Sequence, residues 1–111
     1  MQLGGDVNQA DEYGRTLLHH AANNNMVNSV KKLVARGADM TAQDPDGYSP
    51  LHYAVNQRNL QVIEELLLLG ADAKQIDHET FSPLHHAVNN GYLEEVKLLC
   101  NDETLVTSER V

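Results

Sequence analysis

The chain has 111 residues, which is enough for one domain or one short array of repeats. Its formal net charge is −8, with 16 acidic residues against 8 basic ones, and this balance disfavours nucleic acid and anionic membranes as partners. The single cysteine excludes an intrachain disulfide framework and fits a reducing compartment. Because no segment resembles a signal peptide or a membrane span, we expect a cytoplasmic or nuclear protein.

The same pattern of residues returns every 33 residues along almost the whole chain. The segment Thr16–His19 has counterparts at 49–52 and 82–85, with polar, turn and apolar positions all in phase. A fixed period indicates one supersecondary unit that is copied and stacked, and a stack presents an extended surface rather than an enclosed pocket. The pattern predicts that residues 1–10 are the tail of a preceding unit, and it predicts three further units at 11–43, 44–76 and 77–109.

Each unit is predicted to begin with a short helix. A threonine or serine precedes this helix as its N-cap, and a proline occupies the first helical position in the second and third units. Apolar residues recur with the spacing i, i+3, i+4, so they are expected to pack against a neighbouring helix. The predicted helices span 17–24, 50–57 and 83–90. Their apolar positions are Leu18, Ala21 and Ala22, then Leu51, Ala54 and Val55, then Leu84, Ala87 and Val88.

A second helix follows in each unit after a short polar turn. Gly37 and Gly70 are placed as left-handed residues that end the first two of these helices. Glu103 occupies the corresponding position of the third unit, so the last helix is expected to end by another route, with Asn101 as the candidate. The predicted apolar positions are Val27, Val30, Leu33 and Val34, then Leu60, Ile63, Leu66 and Leu67, then Leu93, Val96, Leu99 and Cys100.

The segments 38–48 and 71–81 are predicted to form extended hairpin loops between units. Thr80 occupies the loop position that glycine holds in the other units, so it is expected to carry strain if the backbone there has positive φ. Both ends of the array look cut, and the C-terminal end departs from the pattern from about residue 101. We therefore expect modest stability, or weak self-association through an uncapped end.

These residues resemble a known family. The segment Asp44–Val55, followed by Leu66–Asp72, is similar to an ankyrin repeat, whose T-P-L-H-x-A signature and period both match. Three units agree over about nine-tenths of the chain. The resemblance implies an all-α ankyrin-repeat solenoid, in which stacked helix-turn-helix units are joined by β-hairpin loops.

Histidines are prominent, and most of them receive a structural interpretation. His19, His52 and His85 stand three residues after the capping hydroxyl, where an imidazole can bond that hydroxyl and the backbone of the adjacent hairpin. In chains that resemble ankyrin repeats this histidine is structural. The residues that follow them are expected to be half-buried between helices with polar tips exposed. They are His20, Tyr53 and His86.

Neither a metal site nor a catalytic centre is indicated. His85 and His86 diverge by about 100° on a helix, so they and His78 do not easily converge on one zinc ion. Cys100 occupies an apolar helix position and is interpreted as a small buried hydrophobe. No glycine-rich phosphate loop or paired carboxylates are present. The sequence therefore predicts no enzyme activity, no cofactor and no metal.

A candidate binding surface lies in the hairpin half of each unit. The fifth residue of successive units is Arg15, Tyr48 and Phe81, and these residue types are frequent in binding hot spots. Large residues at this position can equally pack across neighbouring hairpins, so both interpretations stay open. The other candidates are Tyr13, Glu12, Asp46, His78 and Glu79 on the hairpins, and Asn23, Asn24, Asn56, Gln57, Asn89 and Asn90 on the first helices.

Two functions are consistent with this pattern. The resemblance implies a protein–protein interaction module that binds a protein or peptide through the concave hairpin and first-helix face. The alternative is a substrate-recruiting or regulatory array of a larger enzyme, whose catalytic domain would lie outside these residues. Catalysis or metal sensing by the chain itself would require a constellation of site residues that the sequence does not show.

Overall fold

The computed structural model describes residues 6–107, with side chains described for residues 6–100. This part of the chain forms helices and turns, and no strand is present in it, so the predicted all-α architecture is confirmed. None of its helices is long and apolar enough to cross a membrane. The helices are α1 Leu17–Asn23, α2 Val27–Ala35, α3 Pro50–Asn56, α4 Leu60–Leu69, α5 Pro83–Asn89 and α6 Leu93–Thr107.

The helices form two layers. Helices α1, α3 and α5 contact one another in sequence and make one layer, while α2, α4 and α6 make the other. Between the layers, Leu18, Leu51, Ile63 and Leu66 are among the largest fully buried side chains. Val62 is equally buried, although it lies outside the predicted apolar stripe. Full burial of an aliphatic side chain of this size contributes about 1.5–3 kcal/mol, so these residues provide much of the stability of the array.

Each first helix begins with a capping box in which a hydroxyl and an imidazole complete each other. The backbone N–H of His52 donates to the Ser49 hydroxyl, and the N–H of Ser49 donates to Nδ1 of His52 at 3.0 Å. Because Nδ1 accepts this bond, the proton of the neutral ring lies on Nε2. The same arrangement occurs at the starts of the other two first helices. The three predicted N-caps are therefore confirmed.

The Nε2 protons of two of these histidines link one unit to the next. The ring of His19 donates to the carbonyl oxygen of Tyr48 at 2.8 Å, and that of His52 donates to the carbonyl oxygen of Phe81 at 2.9 Å. Both histidine side chains are fully buried. The predicted structural role is confirmed for these two residues, whereas His85 is exposed and no described hairpin lies beyond it.

The first two second helices end as predicted. Gly37 and Gly70 have φ angles of 96° and 107°, and the backbone N–H of Ala38 donates to the carbonyl oxygen of Leu33 at 2.9 Å, as in a Schellman motif. Helix α6 has no glycine at the matching position and continues to Thr107. The prediction that it ends through Asn101 is therefore wrong.

The loops between units are tight turns held by an aspartate rather than paired strands. In the second unit the N–H of Asp44 donates to the carbonyl oxygen of Tyr48 at 3.0 Å. The Asp44 carboxylate in turn accepts the N–H groups of Asp46 and Tyr48, each at 2.9 Å. The loops at Asp11 and Asp77 repeat this pattern. One side chain thus closes each turn, which fixes the direction of the residues around it.

The outer positions of the third unit differ from the prediction. Val88 and Leu93 are 59% and 69% exposed, and Cys100 is exposed as well. The prediction that these residues are buried in apolar stripes is wrong, since no described unit stacks on that side of α5 and α6. Leu60 in the second unit is also partly exposed.

An ion pair joins the second unit to the third, and the sequence analysis did not predict it. The Arg58 guanidinium donates to both oxygens of the fully buried Glu95 at 2.9 and 3.1 Å, and it lies 4.3 Å from the centre of the Tyr92 ring. The bonds from Arg58 lower the pKa of Glu95, although burial of the carboxyl opposes this shift. Glu95 therefore stays ionised inside the interface, and its partner fixes the second unit against the third.

Candidate functional site

The fifth residues of the three units, Arg15, Tyr48 and Phe81, form a row that we call the hairpin row. Nε of Arg15 donates to the hydroxyl of Tyr53 in the next unit at 2.9 Å. The Tyr48 ring lies 5.8 Å from the ring of His86, again in the next unit. Each of these two residues therefore packs across a unit boundary while part of its side chain stays accessible. Packing and accessibility coexist in the row, as both sequence interpretations allowed.

The residues beneath the hairpin row are held by the aspartates of the turns. The Tyr53 hydroxyl donates to the second carboxylate oxygen of Asp44, and Nε2 of His86 lies 2.9 Å from the corresponding oxygen of Asp77. In the first unit His20 lies 2.8 Å from the Asp11 carboxylate. Tyr53 and His86 are partly buried as predicted, whereas His20 is exposed because no described helix covers that side of α1.

These bonds control the charge of the site. Hydrogen bonds from the backbone of Arg15 and from the side chain of His20 lower the pKa of Asp11 to about 2. Burial would raise the pKa of Asp44, but the Tyr53 hydroxyl and two backbone N–H groups lower it by more. Burial and Asp44 together raise the pKa of Tyr53 to about 12. The turn aspartates are therefore anionic at neutral pH, while the Tyr53 hydroxyl keeps its proton and acts as a donor.

A polar cleft of about 220 Å³ opens between the first and second units. Six of the predicted binding residues line it, and two further residues, Asp44 and Tyr53, complete its wall. The sequence contained a signal for both residues. Asp44 is one of the aspartates that start the units, and Tyr53 follows the histidine that recurs every 33 residues. The predicted residues in the lining are Arg15, Asn23, Asp46, Tyr48, Asn56 and Gln57.

The predicted amide side chains of the first helices divide into two groups. Asn24 and Asn90 donate to the carbonyl oxygens of His20 and His86 at 2.9 and 2.8 Å, so their amide groups already stabilise the ends of their own helices. The remaining amide side chains form no hydrogen bond with any described residue. These are Asn23, Asn56, Gln57 and Asn89, of which only Asn23 is partly buried.

The predicted hairpin residues remain accessible. Tyr13 is 62% exposed, and the Arg15 guanidinium lies 5.8 Å from the centre of its ring. Phe81 is 36% exposed and packs against the two histidines of its own helix. The side chains of Asp46, Glu79 and His78 are exposed as well. His78 is positioned by its backbone N–H, which donates to the carbonyl oxygen of Asp46 at 3.1 Å.

One group of potential metal ligands occurs beneath the hairpin row. The ligand atoms of His52, Asp77 and His86 lie within 4.8 Å of one another. However, Nδ1 of His52 accepts the N–H of Ser49, and its Nε2 donates to the carbonyl oxygen of Phe81. No lone pair of His52 is left for an ion. The group is better described as the hydrogen-bonded joint between the second and third units, and it differs from the histidine set considered from the sequence.

A second, more apolar groove of about 360 Å³ lies at the open face of the first unit. Leu17 and Met26 in its lining are 56% and 49% exposed, whereas Pro50 and Pro83, the counterparts of Leu17, are fully buried. The face therefore corresponds to the surface that stacks on a preceding unit. Self-association through such a face stays a prediction.

Comparison with protein families tests the architecture independently. A family model described as ankyrin repeats in three copies matches residues 1–77 and residues 18–109. The two matches together cover nearly the whole chain and coincide with the repeat observed in the helices and turns. A search of curated proteins gave no match.

Proposed function

We propose that this chain, which belongs to the ankyrin repeat family, binds a protein or peptide through the cleft formed by its hairpins and first helices. Ankyrin repeats are generally protein–protein interaction modules and are typically non-catalytic. The proposal assigns this general role to one face of the chain and to named residues on that face.

One observation carries the proposal: the cleft contains predicted binding residues with side-chain amides that have no partner among the described residues. The amide groups of Asn56 and Gln57 line the cleft and form no hydrogen bond with any described residue. An unpaired exposed amide costs nothing while it is hydrated, and it can donate and accept when a partner backbone arrives. The cleft can thus form hydrogen bonds with a partner, and this role requires no catalysis.

The aromatic walls of the cleft are rigid, whereas its amide side chains can adjust to a partner. Tyr53 is fixed by Asp44 below and by Arg15 above, and Tyr48 packs against Tyr53 with ring centres 6.4 Å apart. Rigid aromatic anchors lose little conformational entropy on binding, and adjacent amides adjust to the partner. This combination supports the cleft as the binding site rather than the exposed backs of the second helices.

The test is a random peptide library displayed on a surface and screened with the purified chain. Binders are then measured against Asn56→Ala/Gln57→Ala and against a control, Glu64→Ala/Leu68→Ala, on the exposed back of α4. We expect the cleft variant to lose about tenfold or more in affinity with an unchanged free energy of unfolding. Binders that tolerate the cleft variant but lose affinity for the control variant would contradict the proposal.

A further inference from the structure

The negative charge of the chain is concentrated in its loops. The three loops at 6–16, 37–49 and 70–82 contain nine acidic and two basic residues, whereas the rest of residues 6–107 contains six acidic and five basic residues. Nearly all of the formal net charge of −8 therefore belongs to the hairpin side, where the proposed cleft lies. A surface of one sign attracts partners of the opposite sign and accelerates their association.

The acidic side chains in these loops have two different roles. The carboxylates of the aspartates that start the units accept backbone N–H groups of their own turns. Asp46 and Glu79 are different, because their side chains are exposed and neither forms an ion pair or a side-chain hydrogen bond with a described residue. They occupy the same position in successive units. Their carboxylates are available to a partner.

Both carboxylates act electrostatically on one aromatic side chain, that of Tyr48. The Tyr48 ring is half-buried, and it is bounded by the rings of Tyr53 and His86 at 6.4 and 5.8 Å. Burial raises the pKa of the Tyr48 phenol, and Asp77, Glu79, Asp46 and Asp44 raise it further. The potential around the ring is therefore negative. An aromatic face within a negative potential attracts a cation more strongly than either feature alone.

The positive charge of the hairpin row is restricted to its other end. Arg15 belongs to the first unit, and its Nε is bonded to Tyr53. The cleft thus has a cationic end at Arg15 and an anionic end at Asp46, with the further carboxylate of Glu79 one unit on. A partner that carries its own positive charge is favoured at the second and third units and disfavoured near Arg15.

We propose that the segment bound by this chain carries an arginine or lysine side chain, which binds against Tyr48 between Asp46 and Glu79. The proposal rests on the proposed function, since it specifies the chemistry of the partner for the same cleft. Nucleic acid and anionic membranes do not fit this end of the cleft because their phosphates would face the carboxylates.

The experiment uses the peptides selected with the unmodified chain in the library described above. Each selected peptide is measured against Asp46→Asn/Glu79→Gln and against Glu64→Gln/Glu94→Gln, which neutralises two exposed acids on the second helices. We expect the first variant to lose about 2- to 30-fold in affinity, as for two exposed ion pairs, and the second to lose almost none. The difference should shrink as salt rises from about 50 to about 500 mM.

The peptides themselves provide the second measurement. Selected sequences should share an arginine or lysine, and its replacement by glutamine should abolish the difference between the chain and Asp46→Asn/Glu79→Gln. Peptides that depend on Asn56 and Gln57 but contain no shared cation, or that tolerate the loss of both carboxylates, would overturn this inference and leave the proposed function intact. Peptides that do not depend on Asn56 and Gln57 would contradict the proposed function first.

Discussion

The first helices of the second and third units, Pro50–Asn56 and Pro83–Asn89, differ in sequence at one position but have different environments. His52 is fully buried and donates to the next hairpin, whereas His85 is exposed. Val55 is fully buried, and its counterpart Val88 is 59% exposed. The residue type is the same in each pair, so the difference arises from stacking: the third unit covers the second, whereas no described unit covers the third. In a stacked array, the burial of a residue is therefore determined by the contact with the neighbouring unit and not by the repeat sequence alone.

Gly47 and Thr80 occupy the same backbone position in the hairpins of these two units, and they too differ in their surroundings. Gly47 has φ of 87°, and a Cβ atom built on it would lie 2.5 Å from the backbone nitrogen of His78. Thr80 has the same left-handed conformation, with φ of 70°. Glycine is required in the second unit for two reasons: the backbone is left-handed there, and the next hairpin leaves no room for a Cβ atom. In the third unit only the conformational requirement remains, and threonine is present with the predicted strain.

The largest expected difference between the units concerns their core leucines. Leu51→Ala should cost about 2–5 kcal/mol of unfolding free energy, because Leu51 is only 1% exposed and a cavity would form between the layers. Leu84→Ala should cost less, about 1–2 kcal/mol, since Leu84 is only partly buried. Urea unfolding of both variants at one pH measures the difference. Equal losses would mean that the open face of the third unit is covered in solution.

A smaller effect is expected at the hairpin glycine position. Gly47→Ala should destabilise the chain by about 1–3 kcal/mol, because the new Cβ meets the backbone of His78. Thr80→Gly should instead stabilise it by about 0.5–1 kcal/mol through relief of the left-handed strain. Thermal unfolding of the two variants beside the unmodified chain provides the measurement. If Thr80→Gly lowers the melting temperature, the bond from the threonine hydroxyl to the carbonyl oxygen of Glu79 outweighs the strain.

The smallest expected effect is a pH dependence that only buried histidines produce. Burial lowers the pKa of His52 from its ordinary value of 6.5, and nearby His86 lowers it further, although the Phe81 carbonyl, Asp77 and Asp44 oppose the shift. The unfolded chain therefore binds more protons than the folded one. This contribution to stability is complete above about pH 6.5 and is lost as the pH falls toward the folded pKa.

Urea unfolding at pH 7.5 and pH 5 measures this dependence. The turn aspartates do not interfere, because their stabilising contributions persist above about pH 4 and are lost only below it. His52→Gln should show a smaller loss of stability over this interval than the unmodified chain. The matched variant His85→Gln, at the exposed counterpart, controls for the loss of a capping imidazole. A larger loss in His52→Gln would contradict the assigned burial effect.

Much of the local structure was predictable because its causes are local. The hydroxyl of Ser49 and the imidazole of His52 lie three residues apart, so their capping box follows from the sequence. The left-handed conformation of Gly70 follows from its place after an apolar helix. The turn at Asp44 was recognised only as a loop, because the two N–H groups that its carboxylate accepts become neighbours only when the turn closes.

Six residues that line the cleft were candidates from the sequence, but the contacts between them were not predictable. The 33-residue phase placed Arg15 and Tyr48 at corresponding positions of neighbouring units. It did not show that Arg15 is bonded to Tyr53 of the next unit. Nor did it show that Asn24 caps its own helix while the Asn56 amide has no partner among the described residues. Such pairings depend on distances between units, which a period along the chain does not contain.

By itself the sequence determined the repeat, the positions where helices begin, the glycines that end them and the charge of the hairpins, because each depends on residues close together in the chain. Only the tertiary structure decided which equivalent residues are buried. It placed Glu95 beneath Arg58, exposed Cys100 and Val88, and formed the cleft beside Tyr48. The physical reason is that burial and pairing are properties of the contact between two units, and every unit in the array has a different neighbour.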